Sequence, residues 1–142
     1  MATDADAHML DRARQACYPA GNLRYLPPGW KARAFYPQGD EYCLLAEYKA
    51  GVHLQLGDIR RDLPAGPFDL ILCRYLAGTY FEPERQVSVF QRLAGRLLDG
   101  GRLVIGSHER VPAAVTDLAL LDAGKMIYRR RPGRAARSRN FE

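Results

Sequence analysis

A chain of 142 residues, 47% hydrophobic and 26% charged, suits one globular domain and excludes two of ordinary size. No run of eighteen apolar residues occurs, and MATDADAHMLDRARQ lacks the basic-then-apolar order of a signal peptide, so a cytoplasmic protein without membrane insertion is expected. The net charge of +5 sits wholly in the tail, where Arg129, Arg130, Arg131, Arg134, Arg137 and Arg139 face only Glu142, which argues against a nucleic-acid interface.

In chain order, Asp6 is placed to cap a helix running to about Cys17, with Met9, Leu10, Ala13, Ala16 and Cys17 on one face. Pro19 and Gly21 end it. Residues 22–40 carry Pro27, Pro28, Gly29, Pro37 and Gly39 and read as a long apolar loop packed on the rest of the chain. The segment Glu41 to Glu47 fits a short strand or a helical turn equally. Val52 to Leu56 alternates, as an edge strand does.

The segment from Gly66 to His108 reads as strand, loop, helix, tight turn, strand. Phe68 to Cys73 and Leu103 to Ile105 are continuous apolar runs, predicted as central strands buried on both faces. Between them Pro83 and Glu84 open a helix whose apolar stripe is Val87, Phe90, Leu93, Ala94, Leu97 and Leu98, and Gly100-Gly101 is expected to stop it. Asp117 to Leu121 and Lys125 to Arg129 predict a hairpin. Cys17, Cys43 and Cys73 are odd in number and widely spaced, so reduced, partly buried thiols are expected. His8, His53 and His108 are isolated, and no metal site is indicated.

The stretches MATDADAHMLDRARQACYPAGNLRYLP, VHLQLGDIRRDLP, GPFDLILCRYLAGTYFEPE, LLDGGRLVIGSHERVP and KMIYRRRP, in that order, resemble the S-adenosylmethionine-dependent methyltransferases of the chemotaxis receptor (CheR) type. The resemblance implies an α/β fold with a class I, Rossmann-like methyltransferase sheet of parallel strands and a C-terminal antiparallel hairpin. It implies a partial catalytic domain over residues 1–132; the basic composition of 133–142 reads as a disordered tail. The cofactor implied is S-adenosyl-L-methionine. The acceptor implied is a protein carboxylate or another oxygen or nitrogen nucleophile.

By the same resemblance, Asp4 holds the ribose hydroxyls of the cofactor, while a role for Asp4 or Asp6 in capping the following helix is the plain alternative. Asp58 accepts from the adenine amino group and Ile59 packs on the ring; a turn aspartate ahead of Arg60 and Arg61 is the alternative. Cys73, Arg74 and Tyr75 bind the methionine part, although the family pattern is Cys-Arg-Asn and Tyr75 replaces its asparagine. For Arg74 a structural ion pair is the alternative. Tyr80 is the catalytic residue, its ring or hydroxyl stabilising a sulfonium, whereas Phe81 reads as packing. Ser107, His108 and Glu109 end a strand, where one of them can line the site.

The resemblance also implies a first strand and a glycine-rich turn ahead of Asp4, yet only three residues precede it. An incomplete sheet is therefore expected, with Leu70 and Leu72 lacking a backbone partner on one side. A start assigned too late, a decayed gene and a strand from a partner chain all fit. A non-catalytic fragment that acts by binding protein is the alternative function, because activity of the chain alone needs the missing turn.

Overall fold

A computed structural model describes residues 1–133. The expected tail falls, apart from Gly133, outside the described residues. The chain divides into two compact units, the first Met1–Asp62 and the second beginning at Leu63.

In the first unit β1 (Ala2–Asp4) pairs in parallel with β5 (Leu54–Leu56), with Asp4 opposite Leu56. Helix α1 (Ala7–Gln15) connects out of β1. Asp6 caps it as predicted, its carboxylate accepting the His8 N–H at 2.8 Å. The helix stops short of Cys17, because Ala16 adopts a left-handed conformation with φ 54°. On the expected apolar face Leu10 and Ala16 are buried, whereas Met9 is exposed.

Three antiparallel strands follow, in the order β2 (Cys17–Pro19), β4 (Glu41–Leu44), β3 (Phe35–Gln38). The expected loop over 22–40 is corrected here. It contains α2 (Pro28–Ala34) and β3, and Tyr25 and Trp30 are exposed, not packed inward. Pro28 occupies the first turn of α2, where its missing N–H costs nothing. The ambiguous segment from Glu41 to Glu47 resolves into β4 and a helical turn, α3 (Ala46–Lys49).

The thiol expectation is also corrected. Cys17 and Cys43 are direct partners in the β2–β4 ladder, their Cα atoms 4.0 Å apart, and they form a disulfide; Cys73 alone stays a free, buried thiol. Their 26-residue separation hides this register from a linear reading.

The second unit holds a four-stranded sheet ordered β6 (Phe68–Cys73), β7 (Leu97–Ile105), β9 (Ile127–Arg130), β8 (Leu118–Asp122). Strands β6 and β7 run parallel, and β8–β9 form the predicted antiparallel hairpin beside β7. The core gathers under helix α5 (Pro83–Gly95), where Val89, Phe90, Leu93 and Ala94 are buried with Leu97, Leu103 and Ile105 of β7. Strand β7 is central, as expected.

Strand β6 is not. Among the described residues it pairs on one side only, and Leu70 and Leu72 are 53% and 66% exposed, while Cys73 on the alternate face is buried. Helix α5 is also shorter than predicted. It ends at Gly95, and Leu97 and Leu98 already belong to β7. The pair Gly100-Gly101 lies inside β7, not at the helix end. Two steps along β6, from Phe68 to Leu70, match five along β7, from Leu97 to Arg102. Gly100 takes φ +81° in this excursion, and a Cβ on Gly101 would stand 2.9 Å from the Leu98 carbonyl oxygen.

Among the described residues no helix is long and apolar enough to cross a membrane.

Candidate functional site

The candidate residues fall at the carboxyl ends of parallel strands, where open α/β sheets bind ligands. In the first unit Asp4 ends β1 and Asp58 lies two residues beyond β5, so the parallel pairing brings both to one end of that pair. Asp4 Oδ1 accepts the Asp6 N–H at 2.9 Å, and no described residue donates to Oδ2. The capping task falls to Asp6 and leaves Asp4 with an acceptor to spare.

Asp58 is engaged by its neighbour. Arg60 Nε stands 2.8 Å from both carboxylate oxygens, and the Arg60 N–H donates to Oδ1 at 2.9 Å. The Arg60 side chain, then its backbone N–H, lower the Asp58 pKa to about 2. Asp58 is therefore a turn aspartate, whatever else it does. Ile59 beside it is half-buried.

In the second unit β6 delivers Cys73 to the sheet end, with Arg74, Tyr75 and the short helix α4 (Ala77–Tyr80) after it. Burial pushes the Cys73 thiol pKa up, so at neutral pH it is a thiol and not a thiolate. The Arg74 guanidinium lies 5.3 Å from the centre of the Tyr75 ring. Tyr75 has φ 55°, the left-handed region that asparagine tolerates far better than tyrosine. Tyr75 thus takes this conformation at the position where the Cys-Arg-Asn pattern of the resemblance has an asparagine. Tyr75 lies over Gly106, where an added Cβ would meet its Cδ1 at 2.5 Å, and its hydroxyl shares a 3.0 Å hydrogen bond with the Ser107 hydroxyl. That hydrogen bond, reinforced by Arg74, holds the Tyr75 phenol below its ordinary pKa. Tyr80 closes α4 with 75% of its surface exposed, and Phe81 is half-buried.

The residue that organises this end of the sheet is Glu109, 2% exposed. Its Oε2 accepts the N–H groups of Tyr75 and Gly106, each at 2.7 Å. Its Oε1 accepts from Leu76 N at 2.9 Å, Gly78 N at 3.0 Å and Thr79 Oγ1 at 3.0 Å. Burial alone would raise its pKa; the donors from Gly106, Tyr75, Thr79 and Leu76 outweigh that and hold it below the ordinary glutamate value. Sequence reasoning named Glu109 only as one of three residues able to line the site. The run Gly106-Ser107-His108-Glu109 directly after a buried strand was the available signal.

A family model described as CheR methyltransferase, SAM binding domain, matches residues 1–127. The chemotaxis protein methyltransferase of Listeria innocua is 32% identical over 111 residues, covering 78% of this chain and 42% of that protein. That of Salmonella typhimurium is 29% identical over 134 residues, covering 89% of this chain and 45% of its own length. Chemotaxis protein methyltransferase 2 of Pseudomonas aeruginosa is 30% identical over 115 residues, covering 77% and 41%. The chain thus spans less than half the length of these relatives. With a mixed α/β architecture and a family match over nearly all of its described length, the chain belongs to the CheR methyltransferase SAM-binding domain family, whose cofactor is S-adenosylmethionine.

Proposed function

We propose that this chain is the catalytic part of an S-adenosylmethionine-dependent methyltransferase that acts on a protein carboxylate or another oxygen or nitrogen nucleophile. The observation that carries the reading is the family match over residues 1–127, whose strand ends bear Asp4, Asp58 and the run from Cys73 to Tyr80.

The donor set suits an adenosine-bearing cation. Asp4 has an uncommitted carboxylate oxygen, which suits two ribose hydroxyls. Asp58 is ionised at neutral pH and accepts from an amino group, with the apolar Ile59 beside it for a ring face. Cys73, Arg74 and Tyr75 hold the methionine part, and Tyr80 offers an electron-rich ring and a hydroxyl oxygen to positive charge. The cofactor supplies an activated methyl group on a sulfonium. The chain's own task is then alignment and exclusion of water, with no nucleophile of its own; the un-ionised Cys73 is consistent with that.

The open edge of β6 belongs to the same reading. A class I sheet places a strand there, followed by a glycine-rich turn. We assign the β6 edge, with Leu70 and Leu72 beside it, as the seat of such a strand.

Calorimetric titration of S-adenosylhomocysteine into the full chain tests the cofactor site. Saturable binding is expected, weakened about tenfold by Asp4→Ala, in line with the loss of a charge-assisted hydrogen bond. Absence of heat at high ligand concentration would overturn the reading for this chain and leave the protein-binding fragment in its place.

A further inference from the structure

We propose that Glu109 is the positioning residue of the loop from Tyr75 to Thr79, fixing by its ionised carboxylate the segment that carries Tyr75 and leads into Tyr80. The role in cofactor binding rests on the methyltransferase reading; the hold on the loop does not. Four backbone N–H groups and the Thr79 hydroxyl, from the segments that follow β6 and β7, converge on two oxygens, and the four N–H groups can only donate. A carboxylate meets that demand with both atoms. A carboxamide of the same size cannot, because its NH2 would face N–H groups wherever it is turned.

The packing around Glu109 follows from the same convergence. A Cβ on Gly78 would stand 2.9 Å from Glu109 Cβ, and one on Gly106 would stand 2.8 Å from Glu109 Oε2. Both positions are small because the backbone must reach the carboxylate. Tyr75, in its left-handed conformation, is held by its N–H bond to Oε2. The loop is therefore held by contacts within the chain itself.

Amide hydrogen exchange and S-adenosylhomocysteine titration on the full chain test this with two variants. In the wild type the amides of Tyr75, Leu76, Gly78 and Gly106 are expected to be protected. Glu109→Gln, matched in size, is expected to speed their exchange about tenfold or more and to weaken binding by a similar factor, with the β7 amides of Leu103 and Ile105 unchanged. Glu109→Asp keeps the acceptors on a shorter stem and is expected to retain more protection than Glu109→Gln. If Glu109 only filled space, the order of the two variants would reverse, and that overturns the proposal. Fast exchange of these amides in the wild type also overturns it, even where a variant does not fold. A wild type that shows the protection pattern but binds no S-adenosylhomocysteine supports the hold on the loop and removes the methyltransferase reading.

Discussion

At Gly106 a single methyl group has nowhere to go: Tyr75 lies on one side and the Glu109 carboxylate on the other. Gly106→Ala is expected to destabilise the second unit by about 1–3 kcal/mol, the usual range for overpacking a filled site, read as a shift of the urea midpoint. Acid acts on the same cluster. The folded pKa of Glu109 lies below its unfolded value, so its bonds contribute fully above the unfolded value and are lost as pH falls through the folded one. The Cys73 thiol and the Tyr75 phenol beside it stay protonated across that range. Amide shifts of Tyr75 to Thr79 are therefore expected to hold steady near neutrality and to collapse only below the ordinary carboxylate range. Asp6 was legible as a cap because its partner is two residues away. Glu109 was not, because its loop partners are 30 to 34 residues distant and no spacing rule links them.

Helix α5 shows how far periodicity reaches. Its start at Pro83 and its buried Phe90, Leu93 and Ala94 follow the apolar stripe. Its end does not, because Leu97 continues the stripe in sequence while the backbone has already turned into β7. The glycine pair mimicked a helix stop because a strand excursion and a helix terminus ask for the same left-handed residue. Phe90→Ala, at a fully buried position, is expected to cost about 3–5 kcal/mol by chemical denaturation. In the first unit Asp6→Ala is expected to cost about 1 kcal/mol, seen as fraying of α1. Helix α2 was missed because Pro27 ahead of it and Pro28 and Gly29 within it outweighed the rest of a seven-residue helix, although proline is welcome in a first turn.

On the scale of the molecule, two covalent and topological facts stand out from the linear reading. Strand β6 was taken as central from its apolar run, and its sheet leaves one edge and one face open among the described residues. An exposed apolar edge promotes association, so Leu72→Lys is expected to lower the sedimentation-derived oligomer fraction without loss of secondary structure. The parallel pair and the C-terminal hairpin were legible, because each follows from local patterning. The Cys17–Cys43 disulfide was not, because it depends on a register set across α2 and β3. Closing 26 residues, it is expected to stabilise the first unit by about 3 kcal/mol on the chain-entropy argument, measured by unfolding with and without a reductant. It has a further effect on how the protein breaks. A protease that nicks the backbone near Tyr25 or Trp30 cuts within the ring that Cys17 and Cys43 close, so both pieces stay on one frame and migrate together until a thiol is added.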